Sequence, residues 1–231
     1  MAWREMAKKK AAIEAVKLVE DGFVIGIGVG STVAYAIREI GRRIKEEHLQ
    51  VSAVPCSNQT SQLAMECGIP LTTFNEHLSL DLDIDGADQI NGNLNLIKGM
   101  GGALTKEKIV ASASKKFVIV ADKTKITDVL GRNQPLPVEV LPFAMPLVSS
   151  KIESLGGRPA LKKSKNSSKP FVTENGNYIL NVDFGVITKP YQLDRKLKSI
   201  HGVIETGLFL GMASMAYVGT ETEVKVLYKG Q

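Results

Sequence analysis

Three short clusters in this chain hold side chains suited to proton or phosphate chemistry, and each follows an apolar run. The first is Gly26-Ile-Gly-Val-Gly-Ser-Thr32, the second Asp85-Gly-Ala-Asp88, and the third Lys98-Gly-Met-Gly-Gly-Ala103, with Glu107 shortly after it. A strand-to-helix turn built on Gly26, Gly28 and Gly30 leaves backbone N–H groups open to an anion. The Ser31 and Thr32 hydroxyls add donors, so phosphate is its natural ligand. A tight turn with Ser31 as helix N-cap would use the same residues. The spacing is not a dinucleotide fingerprint, since Val33 stands where a third glycine belongs, and no Gly-Lys-Ser/Thr phosphate loop is present. Asp85 and Asp88 are separated only by Gly86 and Ala87, so a turn after the strand would aim both carboxylates one way. An Asp-Gly turn capping its own backbone is the plainer use of the same residues.

Lys98, closing an apolar strand beside the bare backbone of Gly99, Met100 and Gly101, suits a developing oxyanion or a phosphate. Glu107, near the start of a helix opened by Thr105, is either a carboxylate favourable to that helix end or a general base held on a rigid element. Lys123 and Lys125 place two further cations just past another strand. Asp81 and Asp83 alternate with Leu82 and Ile84 and read as one polar strand face outside the site.

Bringing these groups together requires strand ends at one edge of a sheet. Apolar periodicity predicts helices over residues 7–20, from Val33 onward, and over 59–66 and 105–114. Short extended segments fall at 23–27, 51–54, 71–73, 80–84, 94–97 and 117–121. Their alternation argues for an α/β fold with a doubly wound, mostly parallel, Rossmann-like sheet. Active sites of such sheets lie outside the carboxyl ends of the strands. After Lys125 the rhythm changes. Pro135, Pro137, Pro142 and Pro146 break the chain, a helix is predicted over 144–155, and strands over 158–161, 171–173 and 178–183. The last two join through an Asn175-Gly176 turn, and a helix over 193–200 follows. This is the pattern of a smaller α+β, ferredoxin-like domain over 129–206, inserted into an α/β domain made of 1–128 and 207–231. Segments 202–210, 216–219 and 223–228 are expected to return to the first sheet.

The chain has 231 residues, 44% of them hydrophobic, an ordinary composition for a globular protein, so disorder is not the expectation. No window approaches the roughly 18 uninterrupted apolar residues of a membrane span. No apolar signal core follows the basic Lys8–Lys10 run, so an untargeted, cytoplasmic protein is expected. Cys56 and Cys67 lack the spaced partners of a disulfide or zinc framework, and the three histidines share no ligand spacing. Lys162, Lys163, Lys165 and Lys169 supply most of the +5 net charge. Without aromatic interleaving or a groove-reading helix they read as a solvated loop, not a nucleic-acid site.

Taken together, GIGVGST at Gly26 to Thr32, DGAD at Asp85 to Asp88, KGMGGALTKEK at Lys98 to Lys108 and ADKTK at Ala121 to Lys125 resemble the type A ribose 5-phosphate isomerases. The likeness continues through PLPVEVLP, GGRP, TENGNYILNVDF and HGVIETGLF, in order and over nearly the whole chain. The resemblance implies interconversion of ribose 5-phosphate and ribulose 5-phosphate, without metal or organic cofactor, by a homodimer or homotetramer with no nucleic-acid or membrane partner. It gives Glu107 the role of base in proton transfer through an enediolate. Lys98, Asp85 and Asp88 assist ring opening and charge handling. Val29, Gly30, Ser31, Thr32, Gly86, Ala87, Gly99, Met100, Gly101 and Lys125 bind the sugar phosphate. The chain departs from the family pattern at Val29, where a threonine is usual; at Gln89, where an acid is usual beside the site; and at Met100, in a loop usually built of glycine and alanine. The alternative function is a non-catalytic sugar-phosphate sensor. A dinucleotide oxidoreductase is disfavoured by the glycine spacing and by the absence of a ribose-binding acid, and an acyl-CoA transferase on a related fold stays open.

Overall fold

A computed structural model describes residues 2–165 and 167–229. In chain order it forms α1 (Ala2–Val16), β1 (Val24–Ile27), α2 (Ser31–Glu47), β2 (Ser52–Pro55), α3 (Asn58–Glu66) and β3 (Leu82–Asp85). Next come β4 (Gln89–Ile90), β5 (Leu96–Ile97), α4 (Leu104–Ala113), β6 (Phe117–Asp122), β7 (Leu136–Val140) and α5 (Met145–Ser154). The chain closes with β8 (Arg158–Leu161), β9 (Tyr178–Asp183), α6 (Pro190–Lys198), β10 (Val203–Thr206), β11 (Leu208–Phe209), β12 (Met215–Gly219) and β13 (Val224–Tyr228). The main sheet has six strands in the order β13-β12-β6-β3-β1-β2, all parallel except the edge strand β13. The expected doubly wound α/β architecture is therefore present. Strand order reverses between β1 and β3, which puts the crevice of such a sheet beyond Ile27 and Asp85.

The two faces of the main sheet follow from period-2 alternation. Val118 and Val120 of β6, Ile25 and Ile27 of β1, and Leu82 and Ile84 of β3 pack under α1 and α2. Phe117, Ile119 and Ala121 point the other way, toward Phe209 of β11 and Ala111 of α4. Asp83 and Asp85 also belong to this second face, where Gly26 lets Val110 of α4 and Asp83 come close. Asp81 and Asp83 do share a face, as their alternation predicts, but that face is not solvated along its length. Asp81 does reach the edge, where it pairs with Lys115 at 2.7 Å, but Asp83 has no exposed surface because α4 covers it. Polar alternation marks a half-solvated strand only where the second face stays open.

A second, antiparallel sheet runs β10-β7-β9-β8, with its own core of Leu136, Val138, Val140, Ile152, Leu180, Val182 and Leu197. Several expectations change here. β7 passes through Pro137, where the sequence predicts a break. The Pro137 carbonyl, and with it the donor-less nitrogen, faces Gly207 just past the end of β10, so the ladder to β9 loses nothing. Residues 171–173 form no full strand but keep one antiparallel bridge, Val172 to Tyr178; the Thr173 hydroxyl donates to Glu139 and accepts from the N–H groups of Asn175 and Asn177 in the turn. Residues 203–206 join the antiparallel sheet, and 208–209 join a small sheet β11-β5-β4, so only β12 and β13 return to the first. Residues 94–97 also leave the main sheet, because Asn91 Oδ1 accepts from the backbone of Asn93 and Asn95 and folds β4 back onto β5. Residues 71–73 keep one bridge, Ala53 to Leu71. The first helix starts at Ala2, not residue 7, which carries Arg4 and Lys8 toward the site.

Candidate active site

The turn after β1 is fitted to the end of β3. Gly28 N–H donates to the Ile84 carbonyl at 3.0 Å, and a β-carbon at Gly28 would lie 1.8 Å from Asp85 Cγ. Gly30, with φ +131°, then caps α2, and no side chain caps that helix's first turn. Ser31 is thus the first helical residue and not the cap; its hydroxyl accepts from Lys8 Nζ at 3.2 Å. The open helix start, two hydroxyls and a lysine make an anion-binding corner. The Val29 N–H is already given to Asp85 Oδ1 at 3.1 Å, so it is not free for a ligand.

At the other end of the crevice, Lys98 follows β5, is 2% exposed, and holds three groups. Its Nζ lies 2.8 Å from Asp85 Oδ2, 3.1 Å from Glu107 Oε2 and 2.7 Å from the Gly86 carbonyl. Only the last is aligned as a hydrogen bond; the carboxylates are held as ion contacts. Glu107, 3% exposed in the first turn of α4, stands across Lys98 from Asp85. Asp85 Oδ1 also accepts from Gly86 N–H at 2.6 Å.

Burial works against every charge in this cluster. It works against the Lys98 ammonium, but Asp85 and then Glu107 outweigh it and keep the amine protonated well above its ordinary range. It pushes Glu107 up to about 8, with Lys98 opposing and Asp85 reinforcing the rise. Asp85 is raised by burial too, against Lys98 and the N–H groups of Gly86 and Val29. Asp83 is raised well above the carboxylate range: it is fully buried, neither oxygen has a hydrogen-bond partner, and Asp85 adds repulsion. The arrangement is one buried cation shared by two carboxyls, which leaves Glu107 able to take up and release a proton near neutral pH.

A cavity of about 280 Å³ joins the two ends. Its wall includes Val29, Gly30, Ser31 and Thr32 from the first cluster, and Gly86, Ala87 and Asp88 from the second. Lys98, Gly99, Gly101 and Glu107 come from the third, and Lys125 from beyond β6. Asp85 is not on this wall; it reaches the cavity only through Lys98. Met100 lies outside it as well. Its N–H donates to Asp88 Oδ2 at 3.0 Å, its carbonyl accepts from Lys162 Nζ, and it borders a neighbouring cavity. Gln89 points away from the site, bonding Gly131 N–H and the Arg132 carbonyl, so its lost charge is not beside the chemistry. Lys123 turns outward to Glu221 at 2.6 Å. The basic loop is not wholly solvated either: the Lys162 ammonium lies over the Phe171 ring, 4.6 Å from its centroid, and burial lowers its affinity for the proton.

Sequence reasoning missed Arg4, Lys8, Asp122 and Thr124, which also line the cavity. Lys8 carried a signal: with Ala7, Ala11 and Ala15 buried, the neighbouring helical position must lie at the edge of the packed face of α1. Asp122 accepts from the Thr124 N–H at 2.9 Å and shapes the turn that presents Lys125.

Residues 52–223 match the family model for ribose 5-phosphate isomerase A (phosphoriboisomerase A). The chain is 48% identical over 214 residues to ribose-5-phosphate isomerase A of Methanosarcina acetivorans, covering 93% of this chain and 90% of that one. It is 45% identical over 223 residues to ribose-5-phosphate isomerase A 1 of Oceanobacillus iheyensis, covering 96% and 98%. Among solved structures, ribose 5-phosphate isomerase A of Methanocaldococcus jannaschii superposes with a TM-score of 0.94 at 42% identity, over 97% of this chain and 99% of that one. A D-ribose-5-phosphate isomerase in complex with phospho-erythronic acid superposes with a TM-score of 0.95 at 38% identity, over 97% and 99%. With a family model matching residues 52–223 and relatives 45–48% identical over more than nine-tenths of its length, the chain belongs to the ribose 5-phosphate isomerase A family.

Proposed function

We propose that this protein interconverts D-ribose 5-phosphate and D-ribulose 5-phosphate through an enediolate, in the non-oxidative branch of the pentose phosphate pathway, with Glu107 as the base. The observation that carries this reading is that one cavity is walled at one end by the α2 start and at the other by the Glu107–Lys98 pair. An aldose–ketose isomerase needs both: an anchor for the phosphate, and a base beside a charge stabiliser at the carbons that exchange a proton.

Ser31, Thr32, the first-turn amides of α2, Lys8 and Lys125 hold the phosphate. Glu107 removes the proton from C2 of the open-chain aldose and returns it to C1. The charge that develops on the oxygens between them meets the Lys98 ammonium, which Asp85 keeps oriented and protonated from behind. Asp88, on the cavity wall, moves the proton between oxygens and assists ring opening. Asp85 therefore acts as a positioning residue, and the glycines at 99 and 101 let the backbone border the sugar. Exposed Leu141, Phe143 and Leu147 support a homo-oligomer. The test is pentulose formation by purified protein from ribose 5-phosphate in excess chelator, with Glu107→Gln as control. Binding of the sugar phosphate without turnover would instead establish a sensor, and an undiminished Glu107→Gln would remove Glu107 as base.

A further inference from the structure

The antiparallel sheet buries an acid whose hydrogen bonds reach beyond that sheet to the helix carrying Glu107. Glu139 of β7 has no exposed surface, and no cation pairs with it among the described residues. Its Oε1 accepts from Thr173 Oγ1 at 2.8 Å, Asn177 Nδ2 at 2.9 Å and Asn175 Nδ2 at 3.2 Å. Its Oε2 accepts from the hydroxyl of Thr105, which is the second residue of α4 and lies two before Glu107. A buried carboxylate is costly unless its lone pairs are filled, and here the last oxygen is filled from the helix that carries the base.

That helix lacks a side-chain cap at its start. Its N-cap is Ala103, and ten residues of helix are marginal without tertiary contacts. The other anchors of its first turn also lead to the antiparallel-sheet side. Lys106 pairs with Glu174 at 2.7 Å in a half-exposed contact, and Lys108 pairs with Glu205 at 2.8 Å and donates to the Thr206 carbonyl at 2.6 Å. Glu107, between these anchors, points to Lys98.

Resting on the isomerase reading above, we infer that Glu139 is a positioning residue for catalysis: through Thr105 it sets the rotation of the first turn of α4 and so the placement of the Glu107 carboxylate against Lys98. The antiparallel sheet is then part of the catalytic machinery and not only a neighbour of it. Misplacing a reacting group by about 1 Å costs up to about 100-fold in rate.

Thr105→Val removes the hydroxyl at nearly constant shape, and Thr105→Ser restores it. For the full-length protein with ribose 5-phosphate, Thr105→Val is expected to lower kcat about tenfold, with KM within about twofold, and Thr105→Ser to recover most of the loss. A purely stabilising contact would lower the melting temperature and leave kcat alone. Should Thr105→Val lose cooperative unfolding, Glu139→Gln replaces it with the same readouts. Wild-type kcat in the hydroxyl-free variant, or a serine variant as impaired as the valine one, overturns the inference. A Glu107→Gln control separates the two claims. If it is inactive while Thr105→Val keeps full kcat, only the positioning role falls; if it is active, the isomerase assignment of the base falls.

Discussion

The strongest quantitative consequence of the site concerns pH. Glu107 is lifted by burial to about 8, although Lys98 lies 3.1 Å away, so in the free protein near neutrality it is mostly the acid and not the base. A base must be ionised to abstract a proton, and kcat/KM reports the free enzyme. With one titration near 8, about 1% of Glu107 is ionised at pH 6 and about half at pH 8, so kcat/KM should rise roughly 50-fold between these values and level off above about pH 9. The assay is the initial rate of pentulose formation at substrate well below KM, from pH 6 to 10. The substrate phosphate, with a second pKa near 6, alters the lowest points by no more than about twofold. Stability moves in the opposite sense. A carboxyl whose folded pKa is raised contributes stability that is full below its unfolded value and is lost as pH rises through the folded one. Wild type should therefore weaken between pH 4.5 and about 8, and Glu107→Gln should flatten that decline. A kcat/KM that is flat from pH 6.5 to 9 would refute the reasoning, because it would mean that Lys98, not burial, decides the charge of Glu107.

Three further outcomes follow from the same geometry. Lys8→Met should raise KM roughly 10- to 100-fold with little change in kcat, the cost of one charge-assisted contact at the phosphate end; steady-state kinetics check it, and a lost kcat with unchanged KM would contradict it. Asp83→Asn should leave stability almost unchanged at acidic pH and make the protein more stable than wild type under alkaline conditions. The folded-state affinity of Asp83 for its proton is raised, so its contribution is lost as pH rises; chemical denaturation at two pH values reads this, and a destabilised variant at pH 9 would show Asp83 to be ionised and needed. Gly28→Ala places a β-carbon 1.8 Å from Asp85 Cγ and should cost about 3 kcal/mol together with most of the activity; a variant with wild-type melting temperature and rate would show that the turn has another way to settle.

The main architecture was legible in the sequence because its signals are local. Apolar runs such as Phe117–Asp122 and the glycine turn before Ser31 announce strand and helix start without reference to the rest of the chain. What could not be read depends on partners distant in sequence. Pro137 looks like a break until Gly207 is seen past the end of β10, where the missing donor matters least. Residues 203–206 are as apolar and extended as a strand of the first sheet, and only their register on Val138 and Val140 assigns them to the second.

The site divides along the same line. Residue types and order identified Lys98, Asp88, Glu107 and the α2 start, all of which the fold brings to one cavity. They set Asp85 and Asp88 apart from Asp81 and Asp83 but could not distinguish Asp83 from Asp81, or Asp85 from Asp88, because a carboxylate's role is set by what covers it. Asp81, Asp83 and Asp85 alternate along one face of one strand, yet the first is paired at the surface, the second is buried without a partner, and the third is buried against a lysine and two N–H groups. That gradient has a chemical consequence. Asp85 satisfies Lys98 from the side away from the cavity, so the lysine's charge is balanced before Glu107 is counted, and the glutamate is left as the member of the cluster whose proton is cheapest to move. In the proposed mechanism, an acid buried behind the lysine is thus what lets the acid in front of it serve as the base.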